Sequence, residues 1–229
     1  MRRRILTFAV LLTVLGFGLS AAAQQEVRRY DLFGGYSHLS SPSVSLEQNG
    51  FDVTFGVNVK RWLALGSDFS WFDGNGTIAF ADTKVAPQLA PYLPAGANPK
   101  VPFSAKTYTW AAGPQVNIRH FNRVMFFVRP GLGLLHERAE PTISPDLGAL
   151  LQLLASQGVT IPGLKPKMND TVPFYGFGGG FEINVNSHMG IRFSTDFVHT
   201  TLFSDLLEGR NAVRFSIAPN WKWGKDISK

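Results

Sequence analysis

The chain has 229 residues, a formal net charge of +6, 17% charged residues and no cysteine. That length suits one large all-β domain, and the lack of cysteine excludes disulfides, thiol nucleophiles and Cys-ligated metals. Three of the basic residues are Arg2, Arg3 and Arg4, and the others are scattered, which argues against a nucleic-acid-binding face.

Met1 to Arg4 is a basic n-region, Ile5 to Leu19 an apolar stretch broken by Gly16 and Gly18, and Ala21-Ala22-Ala23 an A-x-A cleavage site. The stretch is shorter than the ~20 apolar residues of a retained membrane helix. Residues 1–23 are therefore expected to form a removed secretory signal, followed by a single domain over 24–229. No later segment has the length and apolarity of a membrane helix.

From there the chain alternates apolar and polar residues with a period of two in eight runs. They are Arg29 to His38, Phe51 to Lys60, Leu63 to Phe72, Lys106 to His120, Val124 to Glu137, Val172 to Val185, Met189 to His199 and Asn211 to Trp223. Short turns join the second and third, fourth and fifth, and sixth and seventh runs. At the opposite end lie unequal loops: Leu39 to Gly50, Asp73 to Ala105, Arg138 to Thr171 and Thr200 to Arg210. This layout predicts an eight-stranded antiparallel up-and-down transmembrane β-barrel with both termini in the periplasm.

A secreted barrel with an apolar interior is the competing arrangement, and two points weigh against it. Eight strands enclose only enough space for side chains, so the large apolar set would overcrowd the inside. The polar face instead carries Gly56, Gly66, Gly113, Gly131, Gly133, Gly176, Gly178 and Gly180. Apolar side chains are thus expected to face lipid, with Tyr30, Trp62, Trp71, Tyr108, Trp221 and Trp223 at the interfaces.

Tyr30-Asp31-Leu32-Phe33-Gly34-Gly35-Tyr36-Ser37, the Gly56 to Val59 hairpin strand and Trp62-Leu63-Ala64-Leu65 resemble the opening of small eight-stranded barrels related to the outer-membrane protein A transmembrane domain. The resemblance covers the whole mature chain and implies a Gram-negative outer membrane, contact with lipopolysaccharide, and insertion by the barrel-assembly machinery. No peptidoglycan-binding domain is expected after the barrel.

Charged residues on the polar face must pair or be hydrated, because an unpaired charge in a narrow lumen is costly. Asp68, Arg129, Glu182, Arg192, Asp196 and Arg214 are the expected luminal ion-pair network. The five histidines show no metal-site spacing, and no metal or other cofactor is expected. His199 lies near Thr200, Thr201, Ser204 and Asp205, and some eight-stranded outer-membrane enzymes that modify lipid A use a His and a Ser near the membrane surface, activated by an acid. The second loop is Pro-rich, which predicts an extended segment. The third predicts a short helix with Ser144 as N-cap, Pro145 first and Gly158 as stop, presenting Leu147, Leu150, Leu151 and Leu154 on one face as a possible hydrophobic contact. The expected function is non-enzymatic, structural or for surface interaction, with an extracellular protein or hydrophobic ligand at the loops. A narrow transporter of small hydrophobic molecules and a lipid A-modifying enzyme at His199 are the alternatives.

Overall fold

Eight antiparallel strands close on themselves in sequence order, each paired to the next and β1 paired to β8. The computed structural model describes residues 26–92, 98–121, 123–143, 145, 148–149, 152, 156 and 166–227, so the expected signal and its cleavage site lie outside the described residues. The strands are β1 (Arg28–Ser41), β2 (Leu46–Lys60), β3 (Leu63–Ala79), β4 (Lys100–Ile118), β5 (Val124–Pro141), β6 (Met168–Asn184), β7 (Met189–Thr200) and β8 (Arg210–Asp226). Closure gives each strand a neighbour on both sides, which removes the open edges that a sheet would otherwise expose to hydrocarbon.

The alternation sorts side chains as the period requires. On β2, Phe51, Val53 and Phe55 point outward and are exposed, whereas Asp52, Thr54, Gly56 and Asn58 point inward and are buried. Lys60 is exposed at the rim, after a register shift between Asn58 and Lys60.

Several strands run further than the alternation of apolar and polar residues indicates. The expected first loop, 39–50, is mostly strand: β1 and β2 pair up to Ser41 and Leu46, joined through a 3-10 turn at Pro42–Val44. Likewise β3 continues to Ala79, β4 begins at Lys100, β5 reaches Pro141 and β6 begins at Met168. In these extensions the polarity is reversed. Leu39, Leu46, Phe103, Ala105, Ala139 and Met168 point inward and are buried, while Ser40, Glu47, Ser104 and Lys106 point out. A barrel wall beyond the membrane faces water on its outside, so its apolar residues go inside.

That upper part has its own core. Val44, Leu46, Val85, Phe103, Ala105, Ala139, Met168, Leu206 and Leu207 form one cluster, with Ile78, Phe80 and Phe203 packed against it. Two loops supply the lid. Thr83 bridges to Leu207, the Lys84 amide donates to the Leu206 carbonyl (2.9 Å), and the Lys84 ammonium donates to the Ser204 carbonyl (2.7 Å). Phe203 takes a positive φ of 52°, and its amide donates to Asp170 at 2.6 Å. The second loop also contains a helical turn at Ala86–Leu89, rather than the wholly extended course expected of its prolines. In the third loop the described residues Pro145, Gly148, Ala149, Gln152 and Ser156 are helical, and Leu147, Leu150, Leu151 and Leu154 lie outside the described residues.

Candidate functional site: the lumen and its cap

Below the apolar lid, the lumen carries three sets of ion pairs. In the central set, Arg214 donates to Asp68 (2.7 and 3.2 Å), to Asp196 (3.0 and 2.7 Å) and to the Ser70 hydroxyl (2.5 Å). Arg129 donates to Asp196 through two nitrogens (3.1 and 3.0 Å) and reaches Asp68 at 3.5 Å. Thr54 adds a hydroxyl hydrogen bond to Asp68 at 3.0 Å. Each guanidinium is thus shared between the same two carboxylates, a bridging geometry that a planar fork supports and a single ammonium does not.

Glu182 and Arg192 belong to a separate set nearer the termini. Arg192 donates to Glu182 at 2.9 Å and reaches Asp31 at 3.4 Å, while Lys222 pairs with Glu182 and Asn220 donates to it at 2.8 Å. The Arg192 guanidinium also lies over the rings of Phe33 (5.9 Å) and Phe127 (5.2 Å). The third set lies under the lid, where Arg210 grips Glu137 with two hydrogen bonds (2.9 and 2.5 Å) and Thr107 donates to the same carboxylate at 3.0 Å. The six residues expected to form one network therefore fall into two, and Arg210 and Lys222 are further members that the strand pattern alone did not single out. Lys222 alternates correctly in β8, so its inward direction was readable; Arg210 falls in what reads as a loop.

Glycines make the room for these carboxylates. A Cβ at Gly56 would approach Asp31 to 2.7 Å, one at Gly190 would approach Glu182 to 2.5 Å, and one at Gly178 would collide with Asp196. Gly56 and Gly178 are the direct cross-strand partners of Asp31 and Asp196. The glycine-rich polar face is therefore arranged around its charges.

A model of the outer membrane protein beta-barrel domain matches residues 9–216. The chain belongs to that family. Outer membrane protein beta-barrel domains of known structure match at low identity. Neisserial surface protein A (NspA) has a TM-score of 0.51 at 10% identity, over 85% of this chain and 96% of that one. OprG from Pseudomonas aeruginosa has a TM-score of 0.48 at 9% identity, over 87% and 98%. Ail of Yersinia pestis, crystallised with the heparin analogue sucrose octasulfate, has a TM-score of 0.47 at 14% identity, over 85% and 96%. No curated protein matches.

Membership of this outer-membrane barrel family gives the apolar exterior its solvent. Leu132, Tyr175 and Phe177 are 58%, 61% and 66% exposed, values that water would penalise across so wide a belt and that lipid does not. Tyr36, Phe51, Trp71, Tyr108 and His136 are successive cross-strand partners on β1 to β5, forming an aromatic row toward the loop end. At the other end Tyr30 stacks near Phe55 (6.2 Å) and Trp223 (5.9 Å). His199 belongs to the outer wall: its ring lies 5.1 Å from that of Tyr175, and Nδ1 is 2.8 Å from the Asn211 side-chain oxygen. The backbone carbonyl of Ser204 accepts from the Lys84 ammonium.

Proposed function

We propose that this outer-membrane barrel is a non-enzymatic surface protein whose closed interior holds a rigid extracellular head for contact with partners. The observation that carries this reading is the pair of barriers along the axis. Arg214 and Arg129 bridge Asp68 and Asp196 across the middle, and Val85, Leu206 and Leu207 pack into the buried core above. An ion following the axis would have to break a shared guanidinium and cross a dry apolar layer. The outward-facing polar residues of the extended strands and the third loop are then the surfaces offered to an extracellular protein or hydrophobic ligand. On this reading residues 1–23 direct export and are removed, the barrel-assembly machinery inserts the domain, and lipopolysaccharide surrounds its outer half.

Two measurements test the proposal. Purified protein in planar bilayers should show no steady conductance, and reproducible channel steps would overturn the closed lumen. Replacing His199 by Ala should leave the lipid A profile of the cell unchanged; an altered profile would support catalysis at the rim instead.

A further inference from the structure

The two rims of the barrel differ in charge. At the rim with both termini and the short turns, the strand ends supply Arg28, Arg29 and Lys225, and the turns supply Lys60, Arg61, Arg119 and Arg123. Against these stand Glu26 and Asp226 among the described residues. At the loop end the described acids outnumber the described bases. The short-turn rim also carries exposed indoles: Trp62, Trp221 and Trp223 are 53%, 44% and 42% exposed, and the Lys60 ammonium lies 5.9 Å from the Trp62 ring. Indoles settle at the headgroup level, so these cations lie where a leaflet keeps its phosphates.

One of those cations reaches across the mouth of the lumen without a counter-ion. Just past the end of β4, the Arg119 Nε donates to the Arg61 carbonyl (2.9 Å), and a terminal nitrogen donates to the Asn58 side-chain oxygen (3.3 Å). Both acceptors are neutral, and among the described residues no carboxylate lies within ion-pair distance of Arg119. The nearby acids are engaged elsewhere: Asp31 and Glu182 by Arg192, Glu182 also by Lys222, and Glu26 by Arg28. Arg119, Arg28, Arg192 and Lys222 line one recess of about 20 Å³, which has room for about one oxygen-sized atom. Phe121 belongs to the same lining. It is 53% exposed and packs edge-on against Phe126 (5.7 Å), a residue of the lipid-facing wall. The recess is therefore cationic within and apolar along one edge, which suits an amphiphile better than a free ion.

We propose that the Arg119 recess is a headgroup site, where an anionic phospholipid of the adjoining leaflet places a phosphate oxygen against the guanidinium and an acyl chain along Phe121 and Phe126. A guanidinium offers phosphate a fork of donors, and Arg119 is the cation at this mouth whose charge no carboxylate offsets. Because the recess admits about one oxygen, the rest of the headgroup stays at the basic rim, where Lys60 and Arg61 add attraction. In outer-membrane barrels the termini and short turns face the periplasm, so the lipid is one of the periplasmic leaflet. Lipopolysaccharide, at the opposite end, is not the ligand of this site. The inference does not rest on the closed axis: it requires the uncompensated charge at the mouth, not the barriers above it.

The test is native mass spectrometry of the folded barrel released from micelles that contain phosphatidylglycerol or, at the same concentration, phosphatidylcholine with the same acyl chains. Wild-type protein should retain phosphatidylglycerol in preference to phosphatidylcholine. Arg119→Gln should weaken the retention of phosphatidylglycerol about five-fold or more, the effect of removing one basic group beside an anionic headgroup, and should leave that of phosphatidylcholine unchanged. Lys100→Gln, which removes an exposed cation at the loop end, should change neither. If Arg119→Gln does not fold, Lys60→Gln combined with Arg61→Gln alters only exposed side chains and should weaken phosphatidylglycerol in the same sense. Inorganic phosphate in large excess should not displace the lipid. Equal retention of the two lipids, an unchanged affinity on removing the rim cations, or an equal loss in Lys100→Gln would each overturn the headgroup site. Displacement by inorganic phosphate would overturn it in favour of a free anion, and retention of a soluble peptidoglycan fragment in place of the lipid would overturn it in favour of the cell wall.

Discussion

Arg214→Ala is expected to destabilise the folded barrel by about 3 to 5 kcal/mol, because it leaves buried carboxylates without their shared cation. Arg214 is the principal partner of Asp68, at 2.7 and 3.2 Å, whereas Arg129 reaches that carboxylate only at 3.5 Å. Asp196 is better protected, since Arg129 holds it with two bonds. The loss should therefore fall on Asp68, and neutralising that residue should recover much of it. Asp68→Asn combined with Arg214→Met leaves Arg129 facing Asp196, with the buried Asp52 beside them, so the double variant is expected to lie closer to the wild type than Arg214→Ala does. Arg214→Lys should fall between them, because a point charge satisfies one carboxylate rather than bridging two. The measurement is the fraction of heat-sensitive, fast-migrating folded protein as a function of urea. A change below about 1 kcal/mol for Arg214→Ala would mean that luminal water already solvates Asp68, and the axial barrier would lose its basis.

The membrane-spanning half of this barrel was legible because lipid outside and a polar lumen inside impose a strict period of two, as Phe51 to Asn58 shows. The strand ends were not, because the solvent outside changes from lipid to water along the same strand. At Leu39, Phe72, Phe103, Leu135 and Phe174 the large side chain turns inward, and the pattern that identified the wall reverses. A reading based on apolar residues facing out therefore stops short of the loop-side ends of β1 to β6 and places Arg210 in a loop. Charges on the polar face were legible as charges, but their grouping depends on the stagger of a tilted barrel. Arg214 meets Asp68 across 146 positions, whereas Glu182 meets Arg192 as its cross-strand neighbour. The missing ladder pairs between β4 and β5 were hidden for a related reason. Pro114 and Pro130 each look like an isolated strand proline until the register sets one opposite the other.

The luminal glycines should divide into two classes with opposite responses to a methyl group. At Gly176 and Gly180 an added Cβ would lie well inside contact distance of the backbone carbonyl oxygens of Phe197 and Phe193, on the adjacent strand β7. Backbone in a closed barrel has nowhere to retreat, since β7 is bonded to β8 on its other side. On the outer face, Phe177 stacks on Phe197 at 5.2 Å and Phe181 on Phe193 at 4.8 Å, holding the two strands together where the clash would push them apart. Gly176→Ala and Gly180→Ala are therefore expected to cost about 1 to 3 kcal/mol each, the usual range for overpacking. Gly113→Ala meets only ordinary van der Waals contact with Pro130, at 3.8 Å, and by restricting the unfolded chain it should be neutral or stabilising by about 0.4 to 1 kcal/mol. The same urea titration separates them. Should Gly113→Ala prove as damaging as Gly176→Ala, the strands beside Pro130 would lie closer together in the membrane than the 3.8 Å contact allows.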